Sequence, residues 1–183
     1  ILLTSSPSRQ GDAPADGLWR TVAAMGGRRQ YCAAAVLPDG RVLVCGGYDG
    51  KYLSSAEVYD AESNAWRQVA AMGTRRLLCA AAVLPDGRVL VCGGRYDGRN
   101  YLSSAEVYDA ESNAWRQVAA MGTRRNACAA AVLPDGRVLV CGGYDGNKPV
   151  SSAEVYDAES NAWRQVAAMG TRRICCAAAV LPD

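Results

Sequence analysis

Two kinds of hydrophobic run alternate along the chain. Cys32–Leu37 (CAAAVL) and Arg41–Cys45 (RVLVC) are apolar with no polar alternation, so both faces of the strands they predict must be covered. Ala56–Asp60 (AEVYD) alternates and predicts a third strand, and Trp66–Val69 (WRQV) predicts a fourth. The breaks between them are turn signals. Pro38-Asp39-Gly40 contains the Asp-Gly hairpin pair, Gly46-Gly47 ends the second strand, and Ala61–Ala65 (AESNA) is polar. The segment AESNAWRQVAAM is rich in helix-favouring residues. A strand–turn–strand reading is preferred because it sets Trp66 and Tyr59 on neighbouring strands.

The same pattern then recurs. The block SSAEVYDAESNAWRQVAAMGTRR occupies 54–76, 103–125 and 151–173 without a change, and CAAAVLPDGRVLVCGG occupies 32–47, 79–94 and 128–143. Trp19, Trp66, Trp115 and Trp163 are 47, 49 and 48 residues apart, a period that points to a propeller or a solenoid. A four-stranded antiparallel sheet covered on both faces by its own copies is a propeller blade. Ala and Cys in the first two strands, against Tyr and Trp in the last two, are the size gradient of a wedge.

These residues resemble the kelch-repeat family: a Gly-Gly pair closing the second strand, then a Tyr, then a Trp. Here they are Gly46-Gly47, Tyr59 and Trp66; Gly93-Gly94, Tyr108 and Trp115; Gly142-Gly143, Tyr156 and Trp163. An Arg before the first strand matches Arg29, Arg76, Arg125 and Arg173. The expected fold class is therefore all-β, a kelch-type β-propeller segment of three complete four-stranded blades with partial blades at both ends. Full repeats start near 30, 77 and 126, with partial ones at 18–29 and 174–183, after a polar linker or decayed repeat at 1–17. Propellers have about four to eight blades, so the expectation is a piece of a longer protein or an assembling unit. Open blade faces would invite self-association.

Charge and composition narrow the function. A net charge of +2 does not call for nucleic acid or an acidic membrane surface, and no apolar run approaches the roughly 20 residues of a spanning helix. Seven of the eight cysteines fall at two repeat-equivalent strand positions. They read as small buried hydrophobes in a reducing, intracellular and cytoplasmic setting; Cys175 departs from the pattern. With no histidine and no zinc spacing, no metal, no cofactor and no catalytic residue is expected. Repeated Glu57 and Asp60 read as structural partners of the repeated arginines. The Gly-Gly-Tyr-Asp-Gly run lacks the Lys-Ser/Thr of a phosphate loop. The resemblance also implies a rival, a fragment of a kelch-fold enzyme; the His and Tyr ligands of the family's copper oxidases have no matching positions here.

The copies differ in two places. One is the pair after each Arg-Arg: Gln30-Tyr31, Leu77-Leu78, Asn126-Ala127 and Ile174-Cys175. The other is the loop between the second and third strands: YDGKYL (48–53), RYDGRNYL (95–102) and YDGNKPV (144–150). Alternating strand direction sends both to one face, opposite the PDG and AESN turns. The AESN turn should tolerate change equally, yet it is invariant, which favours diversification for binding. The candidate contact residues are Gln30, Tyr31, Leu77, Leu78, Asn126 and Ile174 at the strand entries. In the loops they are Tyr48, Lys51, Tyr52, Tyr96, Arg99, Asn100, Tyr101, Tyr144, Asn147 and Lys148. Arg28, Arg75, Arg124 and Arg172 give the face a positive rim suited to an acidic protein or peptide partner.

Overall fold

The computed structural model describes residues 21–180. The expected linker at 1–17 and the outermost parts of the two terminal repeats lie outside the described residues. Each full repeat forms four strands. The first blade is β1 (Ala33–Val36), β2 (Val42–Cys45), β3 (Ala56–Asp60) and β4 (Ala65–Val69). The second is β5 (Ala80–Val83), β6 (Val89–Cys92), β7 (Ala105–Asp109) and β8 (Ala114–Val118). The third is β9 (Ala129–Val132), β10 (Val138–Cys141), β11 (Ala153–Asp157) and β12 (Ala162–Val166). Every sheet is antiparallel and ordered as in the chain. No helix occurs among the described residues. The AESN segment is a turn into the fourth strand, and the register sets Tyr59 opposite Trp66.

The blades pack face to face through their period-2 alternation. In the second blade Val89, Val91 and Tyr108 face the first, joining Leu43, Cys45, Val58 and Met72 in one core. The alternate residues Leu90, Cys92 and Val107 face the third, joining Val138, Val140 and Tyr156. β6 is therefore buried along its whole length, which is why its sequence shows no polar alternation. Each fully buried Val, Leu or Tyr of this kind contributes roughly 1.5–3 kcal/mol by leaving water.

Side-chain hydrogen bonds clasp successive repeats. Trp66, Trp115 and Trp163 each donate their indole N–H to a main-chain carbonyl of the segment leading into their own blade, at Ala23, Ala70 and Ala119, all at 2.8 Å. The acceptor expected for a packed tryptophan is there. The rings themselves are half-buried rather than enclosed, because β4, β8 and β12 run along the outer rim where blades diverge.

The AESN turn is not a tolerant loop. Asn64, Asn113 and Asn161 have φ of 49°, 49° and 48°, the left-handed region that Asn enters more readily than most residues. The Asn113 Oδ1 accepts from the Tyr108 hydroxyl at 3.0 Å and from the Ala70 N–H at 2.9 Å. Asp109 Oδ1 accepts from the main-chain N–H groups of Glu111 and Ser112. The PDG turn is equally committed. Asp86 holds the Arg88 side chain and main-chain N–H, and a Cβ on Gly87 would lie 2.9 Å from Pro38 Cγ of the preceding blade.

Candidate interaction face

The connection between blades and the loop between second and third strands meet on one face. Gly47 N–H donates to Arg76 O at 2.8 Å, and Arg76 N–H donates to Leu53 O at 3.0 Å. The Gly-Gly pair is needed at this crossing. Gly47 has φ of 97°, and a Cβ there would sit 2.8 Å from Gln30 O.

The second arginine of each pair is the anchor of this crossing. Arg76 is fully buried. Its Nε and Nη2 donate to Glu106 Oε1 at 3.2 and 2.9 Å, Nη1 donates to the carbonyls of Gly93 and Ser104, and Nη2 also donates to Ser104 Oγ. Glu106 Oε2 in turn accepts from Gly73 N–H at 2.6 Å. Arg125 and Glu154 repeat the arrangement, and Arg29 and Glu57 repeat most of it. The repeated Glu is thus structural, as its sequence position implies, and the repeated Ser helps hold the guanidinium. Asp60 is structural in another way: it caps its own turn instead of meeting an arginine.

The first arginine of each pair is different. Arg28, Arg75, Arg124 and Arg172 are exposed, as are Lys51, Arg99 and Lys148 in the loops. The carboxylates of the same loops are engaged by their own backbone. Asp97 accepts from the N–H groups of Arg99 and Asn100, and Asp145 from those of Asn147 and Lys148. These hydrogen bonds hold the Asp97 and Asp145 carboxyls below the ordinary range.

Among the other candidates, Gln30, Tyr31, Tyr96, Asn100, Asn147 and Ile174 are exposed, and Tyr48, Tyr52, Leu78, Tyr101 and Tyr144 are half-buried. Leu77 and Asn126 are buried, at 4% and 5% exposed. Each pairs with the start of its own blade's loop, Leu77 with Arg95 and Asn126 with Tyr144. Gln30 pairs in the same way with Tyr48. These bridges align Arg95, not Tyr96, with Tyr48 and Tyr144. Arg95 is the residue that the YDG pattern does not single out; its signal was the longer loop, counted from Gly-Gly.

The four residues next in line form an open row along the inner edges of successive blades. Tyr31, Leu78, Ala127 and Cys175 have φ of 58°, 56°, 55° and 54°, although none is glycine. Leu78 N–H donates to Tyr31 O, Ala127 N–H to Leu78 O, and Cys175 N–H to Ala127 O, at 3.0, 2.8 and 2.9 Å. Together with Cys32, Cys79, Cys128 and Cys176 they line a cavity of about 220 Å³. This cavity corrects the thiol expectation in part. Cys45, Cys92 and Cys141 are buried, Cys175 is exposed, and the first-strand cysteines are half-buried because they border the cavity. All eight are free thiols. Cys45 is pushed well above its ordinary pKa by its hydrogen bond with the Cys79 thiol and by burial. Among the described residues no three His, Cys, Asp or Glu side chains converge as a metal site.

Three four-stranded blades clasped around an axis define the chain as a β-propeller segment. The KLHDC2/KLHL20/DRC7 Kelch-repeats domain matches residues 36–181. The chain belongs to the kelch-repeat family. A solved structure titled "Structure of YjhT" superposes with a TM-score of 0.73 at 15% identity, covering 84% of this chain and 56% of that one. The chain thus spans little more than half the length of that propeller. A search of curated proteins finds no match. No helix among the described residues is long and apolar enough to cross a membrane.

Proposed function

We propose that this chain is a non-enzymatic interaction module that binds an acidic protein segment through the face carrying its inter-blade connections and second-to-third-strand loops. The observation that carries this reading is the state of the charges there. The exposed side chains of Arg28, Arg75, Arg124 and Arg172 recur once per repeat, while the nearby glutamates are consumed by buried arginines. An electropositive rim of this kind steers acidic partners. The axial residues add support. A left-handed backbone costs a non-glycine residue roughly 1–2 kcal/mol, and strain of this sort collects at functional positions. Four copies carry four different side chains there, and none has been relaxed to glycine.

The test uses a fluorescent glutamate-rich peptide followed by anisotropy. Arg75→Glu with Arg124→Glu should weaken capture and leave melting within about 0.5 kcal/mol of the parent, as expected for exposed positions. Glu62→Lys with Glu111→Lys, on the opposite face, should leave capture intact. Equal loss from both pairs sinks the assignment of the face.

A second reading is self-association through the outer blades. It is favoured by Val36 and Val166, exposed at 56% and 38%, whereas Val69, the equivalent of Val166 in the first blade, is 8% exposed. Light scattering that returns a monomer across the micromolar range removes it.

A further inference from the structure

Two buried side-chain polar atoms have no hydrogen-bond partner among the described residues: Arg95 Nε and Asn126 Oδ1. Both belong to positions where the copies differ. Arg95 stands where the other blades have Tyr48 and Tyr144, and Asn126 where they have Gln30 and Leu77. A buried orphan of this kind is destabilising, because the group has given up water without gaining a partner. A tyrosine and a leucine taken from the neighbouring copies would relieve both, so these two residues break the repeat at a cost to the fold.

The two orphans belong to one junction, between the second and third blades. Gly94 N–H donates to Arg125 O at 2.8 Å, and Arg95 and Asn126 are the next residues on from the two ends of that bond. Their loop partners meet as well. Tyr101, bridged to Arg95, packs at a tilt of 57° against Tyr144, bridged to Asn126, with centroids 5.2 Å apart. In the first blade the equivalent tyrosines, Tyr48 and Tyr52, pair within their own loop at 5.4 Å. With arginine in place of the first tyrosine, Tyr101 reaches across to the next blade.

We propose that this junction recognises a primary carboxamide, the side chain of a glutamine or asparagine in a bound peptide. Nε–H requires an acceptor and Oδ1 requires a donor. A primary carboxamide carries both on one planar edge, whereas a trans peptide bond directs them to opposite sides. A carboxylate would satisfy Nε but set its charge against Oδ1.

This inference rests on the loop face being the binding face, and the experiment separates the two. Three acidic pentapeptides differing only at a central glutamine, glutamate or methionine are compared by anisotropy. The glutamine peptide should bind about tenfold or more tighter than either other, as expected when an absent partner leaves a buried donor and acceptor unpaired. Arg95→Tyr with Asn126→Leu should abolish that preference and raise the melting temperature. Arg75→Glu should weaken all three alike. Propionamide, which needs no acidic rim, should shift the Arg95 Nε–H nuclear magnetic resonance signal saturably; propionate and butanone should not. Equal affinity for the three peptides, or a preference for glutamate, overturns the proposal. A response to none of the small probes, with one ordered water bonded to both atoms, overturns it as well.

Discussion

The two ends of the strands solve the same problem of joining repeats in opposite ways. On the turn face the Asn and Asp side chains are consumed by the fold. Asn113 ties Tyr108 to the preceding connection, Asp109 caps its own turn, and Asp86 holds Arg88. On the loop face the consumption is confined to a buried layer, Arg76 with Glu106 and Arg125 with Glu154. Above it lie exposed cations that recur in every copy. The difference changes how the copies should be compared. The AESN turn is invariant because its geometry demands it, so its invariance lends no weight to the variation opposite. The case for binding rests on the charges and the strained axial residues instead.

The buried layer should show the largest effect. Arg76→Ala leaves Glu106 buried without its cation, which costs about 3–5 kcal/mol when a buried pair is broken on one side. Urea unfolding measures it. A loss under about 1 kcal/mol would mean that the layer is not what joins the blades on this face.

An intermediate effect is expected on the turn face. Asn113→Ala forfeits two hydrogen bonds and places alanine at positive φ, a loss of roughly 2–3 kcal/mol in the same assay. Asn113→Gly keeps the backbone conformation and forfeits only the bonds, so it should fall between Asn113→Ala and the parent. If the two variants are equal, backbone conformation plays no part in the invariance of the turn.

The smallest effect separates the faces by pH. Asp86 is held below its ordinary value by the hydrogen bond from the Arg88 side chain, and Asp109 by the Ser112 N–H. A carboxyl whose pKa is depressed on folding contributes stability that is present above its unfolded value, near 3.9, and lost as pH falls through the folded one. Asp39, Asp60, Asp135 and Asp157 are shifted the same way, so the turn face holds more such groups than the loop face. Amide exchange near AESN and PDG should therefore quicken below pH 4 before exchange near Gly47 and Gly94 does. Asp86→Asn with Asp109→Asn should flatten the acid limb of the stability curve. An unchanged limb would exclude these carboxyls as its source.

Much of this was legible in the residues. The absence of alternation in RVLVC specifies strands covered on both faces, because side chains of a strand alternate faces whatever surrounds them. The alternation in AEVYD does not mark an open face, since its glutamate is buried on a repeated arginine and both faces are covered. The period of the tryptophans specifies the blade, and repeated Arg and Glu specify a repeated pair. These are local or periodic properties, and identical copies in register leave few ways to satisfy them. The spatial arrangement decided the rest. Nothing in AESN announces that Asn113 bonds to a chain segment 43 residues earlier, since that contact exists only once the first blade is stacked on the second. Nor does the string RYDGRNYL reveal that its arginine, not its tyrosine, takes the position of Tyr48; that alignment is set by a bridge to Leu77. Burial of Leu77 and Asn126 and the exposure of the paired Arg75 and Arg124 follow from the same cause. Residues adjacent in sequence part company where the chain crosses from one blade to the next, and only the packed neighbour determines which of them remains in water.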